Sequence, residues 1–366
     1  MFFTCDKATL LNGINIVSKA LPTKSINPVY EGILFNLSDN KVMLTSTDSS
    51  LTIQTKLAAE VSEPDSVVIN GRFFSEVIRR MPDGMIKVKG NLQSGIEVSS
   101  NNTKINIAAL NPEEYPSLPV IDKETFFITS QGEFKKMVNQ TIFATAQDES
   151  RPILTGCLFD IENDKITVVA LDGCRLSLRN SFINNVEIPI KAIIPARALS
   201  EITKILSDSD DEAKVYIQKS YCMVEIEETK IITRLIEGEF VKYKPIIPQN
   251  MTNSVIVNRI DLLEAIDRAW LIVRENVRNN YILFKFNENK LIITSRSDTG
   301  NAYEEVNIQG TSTPIEIGVN PKYFVECLKN IEDEFIKFSY TTPTSPTVTT
   351  PVDGDKYLYL ILPVRL

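Results

Sequence analysis

The sequence predicts an α+β chain of three tandem, similar domains, each built of antiparallel sheets carrying two helices. Three observations predict it. One order of elements (strand, helix, several strands, helix, several strands) recurs about every 125 residues in a chain of 366. Most strand segments are short, alternate apolar with polar residues and are joined by hairpin signals, as in antiparallel sheets with one face turned inward. Proline clusters at Asn111–Pro119 and Lys244–Pro248 separate the copies, and proline interrupts both ladders and helices. The expected domains are 1–122, 123–251 and 252–366, each long enough for its own core. A period this long is a copied domain, since solenoid units run to only about 20–50 residues.

The first copy opens with a strand at Phe2-Phe3-Thr4 and a helix over Asp6–Ala20 with Leu10, Leu11, Ile14 and Val17 on one face. Strands at Gly32–Leu37 and Lys41–Ser46 flank the turn Ser38-Asp39-Asn40, and Thr52–Thr55 continues the meander. Val67-Val68-Ile69 leads into a second helix over Asn70–Met81, stopped by Pro82-Asp83-Gly84, and three further strands end at Lys104–Ala108. The order restarts at Phe126–Thr129, with a helix over 131–145 and a strand at Cys157–Ile161. It restarts again at Ser254–Val257, with a helix over Arg259–Val273 and a strand at Leu283–Phe286. A Pro/Thr loop, Thr341–Thr347, precedes the last strands.

The second helix of each copy repeats best. In Pro195–Leu206 the residues Ala198, Leu199, Ile202, Ile205 and Leu206 recur at the spacing that buries one helical face, and Arg197 and Lys204 project from one side. One basic pair on a surface helix is ordinarily a solvated face. Here Arg72, Arg197 and Lys322 stand 125 apart, with Arg79, Lys204 and Lys329 seven residues beyond them. Three such pairs in register are a pattern.

Composition excludes much chemistry. The chain has no His, which removes the commonest general base and metal imidazole as well as any Ser-His-Asp or Cys-His pair. The five cysteines, Cys5, Cys157, Cys174, Cys222 and Cys327, show no C-x-x-C spacing, so neither zinc ribbon nor redox pair is indicated, and their odd, scattered use points to a reducing cytoplasm. No apolar run reaches the roughly 20 residues of a membrane span, and the first residues do not read as a charged region followed by the apolar core of a signal peptide, so a soluble, intracellular protein is expected. No cofactor or metal is expected. Asp48 and Asp172 could serve a carbohydrate-active enzyme only by converging in one cleft. Standing at comparable places in separate repeats, as does Asp298, they read as turn residues. A repeat scaffold or adhesion protein is disfavoured by the basic helix faces and the cysteine usage.

A tandem of antiparallel sheets has unpaired strand edges at both ends, and head-to-tail pairing of two chains that closes makes a ring. Helices lining its hole would present all six basic residues to phosphate, inside an envelope whose net charge is −8. Topology would then hold such a ring on duplex DNA with modest, sequence-independent contacts.

Four segments carry a resemblance that covers the whole chain: Val169-Ala170-Leu171-Asp172-Gly173-Cys174-Arg175-Leu176, Leu235–Tyr243, Ile317–Tyr323 and the ending Leu362-Pro363-Val364-Arg365-Leu366. By these, the sequence resembles the bacterial DNA polymerase III beta subunit, the DNA sliding clamp. The resemblance implies the DNA clamp fold, a homodimeric ring of six domains, and a non-catalytic processivity factor opened by an ATP-driven clamp loader. It would tether the polymerase III alpha subunit and other replication and repair proteins to double-stranded DNA. It also implies a cleft for an apolar peptide motif formed by Ile153, Leu154, Leu171, Gly173, Arg175, Leu176, Val241, Ile246, Leu360, Leu362 and Val364. By pattern alone, Leu154, Leu176 and Leu360 read as ordinary strand core. Cys174 and Pro152-Ile153 depart from the family's usual residues at the rim. The resemblance adds Lys24 and Gln147 to the DNA surface, and places Met81, Ile105 and Ile107 against Leu271 and Ile272 of a second copy at the dimer seam.

Overall fold

The computed structural model describes residues 1–38, 40–184, 189–275 and 280–366. Asp39 of the first expected turn lies outside the described residues. Six helices stand among the described residues, two per repeat: α1 (Lys7–Val17), α2 (Gly71–Arg80), α3 (Gln131–Ile142), α4 (Ala196–Thr203), α5 (Arg259–Val273) and α6 (Pro321–Lys329). Several begin where an Asx side chain replaces the missing intrahelical partner. Asp6 accepts from the Ala8 and Thr9 amides at 2.9 and 3.2 Å, Asn70 from Phe73 at 3.0 Å, Asn258 from Ile260 at 2.9 Å and Asn320 from Lys322 at 3.1 Å.

The chain forms two compact units, one of Met1–Phe134 with Arg197–Leu235 and one of Lys135–Ala196 with Ile236–Leu366, so the central repeat contributes to both. In the first unit, a five-stranded sheet runs in the order Glu60–Glu63, Phe2–Asp6, Met85–Asn91, Gly95–Ser100, Thr103–Ile107. An eight-stranded sheet joins Phe126–Ser130, Glu212–Ile217, Tyr221–Ile226 and Thr229–Arg234 of the central repeat to Leu51–Ala58, Lys41–Thr47, Gly32–Ser38 and Ser66–Asn70 of the first. In the second unit, Ile190–Pro195, Gly156–Glu162, Lys165–Leu171 and Arg175–Phe182 continue directly into the eight strands of the third repeat, which begin at Tyr357–Ile361.

Thus the repeats are welded edge to edge. At one weld Ile231 pairs with Ile53, and the Thr55 and Thr229 hydroxyls lie 2.8 Å apart; at the other Leu176 pairs with Leu360. Among the described residues, Glu60–Glu63, Phe126–Ser130 and Ile190–Pro195 end their sheets with one neighbour each, and two further open edges stand at equivalent places in the first and third repeats. Thr103–Ile107 pairs only with Gly95–Ser100, and residues 300–307 of Gly300–Thr311 pair only with Lys290–Ser297.

The second helices of the first and third repeats are held by their apolar faces to the same strand of their repeat. Phe74 meets Phe35 edge-on at 5.2 Å, and Phe324 meets Phe284 at 5.1 Å, the same pair two repeats further on; such contacts add to the area they bury. In α4 of the central repeat Leu199 and Ile202 are buried. Burying Leu199 and Ile202 fixes which side of α4 faces outward, and therefore where Arg197 and Lys204 point.

Candidate functional site

The six cations of the second helices are all exposed, on the faces opposite their buried residues. Four have local partners. Arg72 donates to the Pro22 carbonyl at 2.9 Å, Arg197 reaches Asp48 at 2.5 Å, Lys204 reaches Glu201 at 2.7 Å and Lys322 reaches Glu326 at 3.9 Å. Arg79 and Lys329 form no ion pair among the described residues. Exposed pairs are worth about 0–1 kcal/mol, so phosphate can displace such partners at little cost. Asp48 differs because its carboxylate is buried. One oxygen caps its own turn, accepting from the Ser50 and Leu51 amides at 2.9 and 2.8 Å, and the other holds Arg197. Lys24 and Gln147 are exposed residues outside the helices.

Asp172 repeats this device in the second unit. Its Oδ1 accepts from the Cys174 and Arg175 amides at 2.9 and 3.0 Å, and its Oδ2 takes Arg175 Nε at 2.9 Å. Each aspartate is spent on a turn within its own unit, as the repeat suggested. Gly173, at φ +95°, takes the left-handed conformation that lets this turn close.

Arg175 has a larger role than orienting a ligand at a rim. It is only 8% exposed, and besides Asp172 its guanidinium binds Glu326 of α6 and the Phe143 carbonyl, with Tyr323 and Phe143 stacked at 4.5 and 5.5 Å. A buried cation is tolerated when its donors are filled in this way. Nearby charge and burial push the Tyr323 hydroxyl up to about 12, burial being the larger cause, so it stays neutral in the cluster. The Glu326 partnership was missed from sequence. Glu76, Glu201 and Glu326 hold equivalent helical positions, and that recurrence was the available signal.

Around this strut the peptide-cleft residues form a graded surface. Leu154, Leu171, Leu176 and Leu360 are buried in one apolar cluster, against which Ile153 and Val241 pack half-exposed. Val364 is half-buried, while Gly173, Ile246 and Leu362 are exposed. The C-terminal segment is tied down at two points: Leu362 N–H donates to the Cys174 carbonyl at 2.9 Å, and Val364 N–H to Gly318 at 2.8 Å. Leu158, Val169, Leu178, Ile193, Phe240, Tyr243 and Val348 complete the cluster and were not assigned to the cleft from sequence, the strand residues among them because their pattern is that of any core residue.

The dimer-seam residues divide. Leu271 is 66% exposed, Ile105 is intermediate and Ile272 is partly buried against the core of its own unit. Met81, at 2%, and Ile107 are buried within the single chain, so neither offers free surface as it stands. Among the described residues, no three His, Cys, Asp or Glu side chains cluster to hold a metal, and no helix is long and apolar enough to cross a membrane.

Comparison with known proteins gives three family matches in sequence order. They are the N-terminal, central and C-terminal domains of the DNA polymerase III beta subunit, over residues 1–119, 129–242 and 244–365. The chain belongs to the DNA polymerase III beta subunit family. The beta sliding clamp of Staphylococcus epidermidis is 30% identical over 376 aligned residues, covering 100% of this chain and 99% of that protein, and its Staphylococcus aureus counterpart is 28% identical with the same coverage. Among solved structures, a putative DNA polymerase III beta subunit from Eubacterium rectale superposes with a TM-score of 0.96 at 32% identity, covering both chains fully. The DNA polymerase sliding clamp of Bacillus subtilis gives 0.95 at 29%, covering 100% of this chain and 99% of that one.

For this beta-subunit chain, one chemical prediction follows from burial. Cys174 is the one exposed cysteine; Cys5, Cys157, Cys222 and Cys327 are buried. Burial pushes the thiols of Cys5, Cys157 and Cys222 up to about 11, 12 and 12, and that of Cys327 higher still. A thiol reagent at pH 8 is expected to modify one cysteine per native chain and five after denaturation, counted by mass. Because these folded-state values are raised, stability should be full below the free-thiol pKa of roughly 8.5 and fall as pH rises above it.

Proposed function

We propose that two copies of this chain close head to tail into a ring around duplex DNA and act as its sliding clamp, a processivity factor that catalyses nothing itself. One observation carries the reading. The strand pairs that weld the repeats, Thr229–Arg234 on Leu51–Ala58 and Tyr357–Ile361 on Arg175–Phe182, use equivalent strands each time, and two of the open edges are the third set of equivalents. Thr103–Ile107 corresponds to Thr229–Arg234 and Tyr357–Ile361, while residues 300–307 correspond to Leu51–Ala58 and Arg175–Phe182. A second copy completes the series, and the alternation of welds becomes a closed ring in which both of these edges are paired.

The register follows as well. The welded pair Ile231–Ile53 maps onto Ile105 opposite Ala302 of the second copy. Cysteines placed at Ile105 and Ala302 of one chain are therefore expected to form covalent dimers under mild oxidation, seen as a doubled mass on a non-reducing gel. Monomers alone would refute this seam. Leu271 and Ile272 flank it from the third domain. Met81 and Ile107 support the first domain's side from within.

The basic residues of the second helices, with Lys24 and Gln147, make sequence-independent contact with phosphate. The apolar cleft around Leu154, Leu176, Leu360 and Leu362 takes the linear motifs of the polymerase III alpha subunit, the clamp loader and other replication and repair proteins, and the protein works in the cytoplasm. The deciding experiment uses nicked circular DNA, a loader and ATP. The clamp should survive high salt on the circle and be lost once the circle is cut, and equal loss from both would defeat the reading.

A further inference from the structure

The sheet face that carries the cleft cluster does not end with it. Along Gly156–Glu162 the residues of this face pass from Leu158 to Asp160 and Glu162, and along Arg175–Phe182 from Leu176 and Leu178 to Asn180 and Phe182. There they line a cavity of about 730 Å³, roofed by Tyr243 and Ile247, which also belong to the apolar cluster or pack on it. The cavity is therefore continuous with the cleft.

Two features of it are unexplained by folding alone. Asp160 is only 5% exposed, and while its Oδ2 accepts the Tyr243 hydroxyl at 3.1 Å, its Oδ1 accepts no hydrogen bond. The exposed Lys191 amine forms an ion pair with that oxygen at 3.5 Å, too long for a good hydrogen bond. The pair neutralises the charge but leaves the buried oxygen without a hydrogen-bond donor, a deficit a ligand could fill. At the mouth stands Phe182, 80% exposed, an aromatic face of the kind that attracts cations.

We propose that this cavity binds the guanidinium or ammonium group of a basic residue on a partner protein whose apolar motif occupies the cleft. The inference rests on the cleft reading for its partner, and on Asp160, Glu162 and Phe182 for its chemistry. The basic group donates to Asp160 Oδ1, displaces Lys191 and lies over Phe182. Partners are thereby graded by a charge that flanks their apolar anchor.

The test compares two peptides sharing one apolar anchor, with arginine flanking it in one and neutral citrulline in the other, by calorimetry at low ionic strength. The arginine peptide is expected to bind roughly tenfold tighter, with the difference shrinking as salt is added. Asp160→Asn keeps an acceptor for Tyr243 and should erase the difference without moving the citrulline peptide. Lys191→Ala, a change at an exposed side chain, should widen it several-fold. Equal binding of both peptides to the unaltered protein, or equal weakening of both by Asp160→Asn, overturns the proposal. If neither peptide binds, the cleft reading fails, and acetyl-arginine amide then decides the cavity separately. Shifts of the Thr167 and Asn180 backbone signals on its addition would uphold the cation site, and their absence would overturn it.

Discussion

Reversing the charge of all six second-helix residues, Arg72, Arg79, Arg197, Lys204, Lys322 and Lys329, to glutamate is expected to reduce stable loading on nicked circular DNA by at least about 100-fold while the dimer still forms. The expectation follows from where these side chains sit. Each is exposed on, or for Lys204 just beyond, a helix whose opposite face is buried, so substitution leaves the packing of Phe74, Leu199 and Phe324 untouched. Phosphate affinity grows with the number of cations engaged and falls steeply with salt, so inverting six per chain replaces a collective attraction with repulsion. Any one residue matters less. Arg197 is the exception in stability, because removing it strips the buried Asp48 carboxylate of its cation, although the Ser50 and Leu51 amides remain. Filter retention of loaded clamps, with sedimentation to verify the dimer, checks the prediction. Undiminished loading would remove DNA contact from these helices.

Deleting Leu362 to Leu366 is expected to weaken binding of polymerase-derived peptides by about 100-fold or more and to leave dimerisation unchanged. The deletion removes Leu362 and Val364 from the cleft but spares its buried floor of Leu154, Leu171, Leu176 and Leu360. Two apolar contacts at about 1.5–3 kcal/mol each correspond to that loss of affinity. The fold loses the hydrogen bonds from Leu362 to Cys174 and from Val364 to Gly318, about 1 kcal/mol each, so the truncated chain should remain folded. Fluorescence anisotropy of a labelled peptide measures the first effect and sedimentation the second. Intact peptide affinity would move the cleft elsewhere.

Glu326 shows how the two surfaces are built into one another. Its carboxylate lies 3.9 Å from Lys322, a candidate phosphate contact, and also binds Arg175, the buried strut beneath the cleft. One acidic residue therefore supports both sites, and neither could be assigned to it from α6 alone.

Much was legible in the sequence because it is locally encoded. The six helices, the hairpins and the threefold order follow from short-range periodicity, caps and proline breaks, and the 125-residue recurrence turned three ordinary basic pairs into a candidate surface. The cleft residues were legible only through family resemblance, since Leu154, Leu176 and Leu360 are buried strand leucines that alternation cannot tell from core.

What the tertiary structure alone decided lies in pairings distant along the chain. The sequence predicted sheets domain by domain, whereas the ladders Thr229–Arg234 on Leu51–Ala58 and Arg175–Phe182 on Tyr357–Ile361 run through the repeat boundaries. Nothing in a strand's own alternation names its neighbour. The same limit hid the partners of Arg175, which come from 32 and 151 residues away, and the unmatched oxygen of Asp160. A buried charge is stable only where the fold brings donors and acceptors to it, and that condition is set by the packed structure and not by the residue.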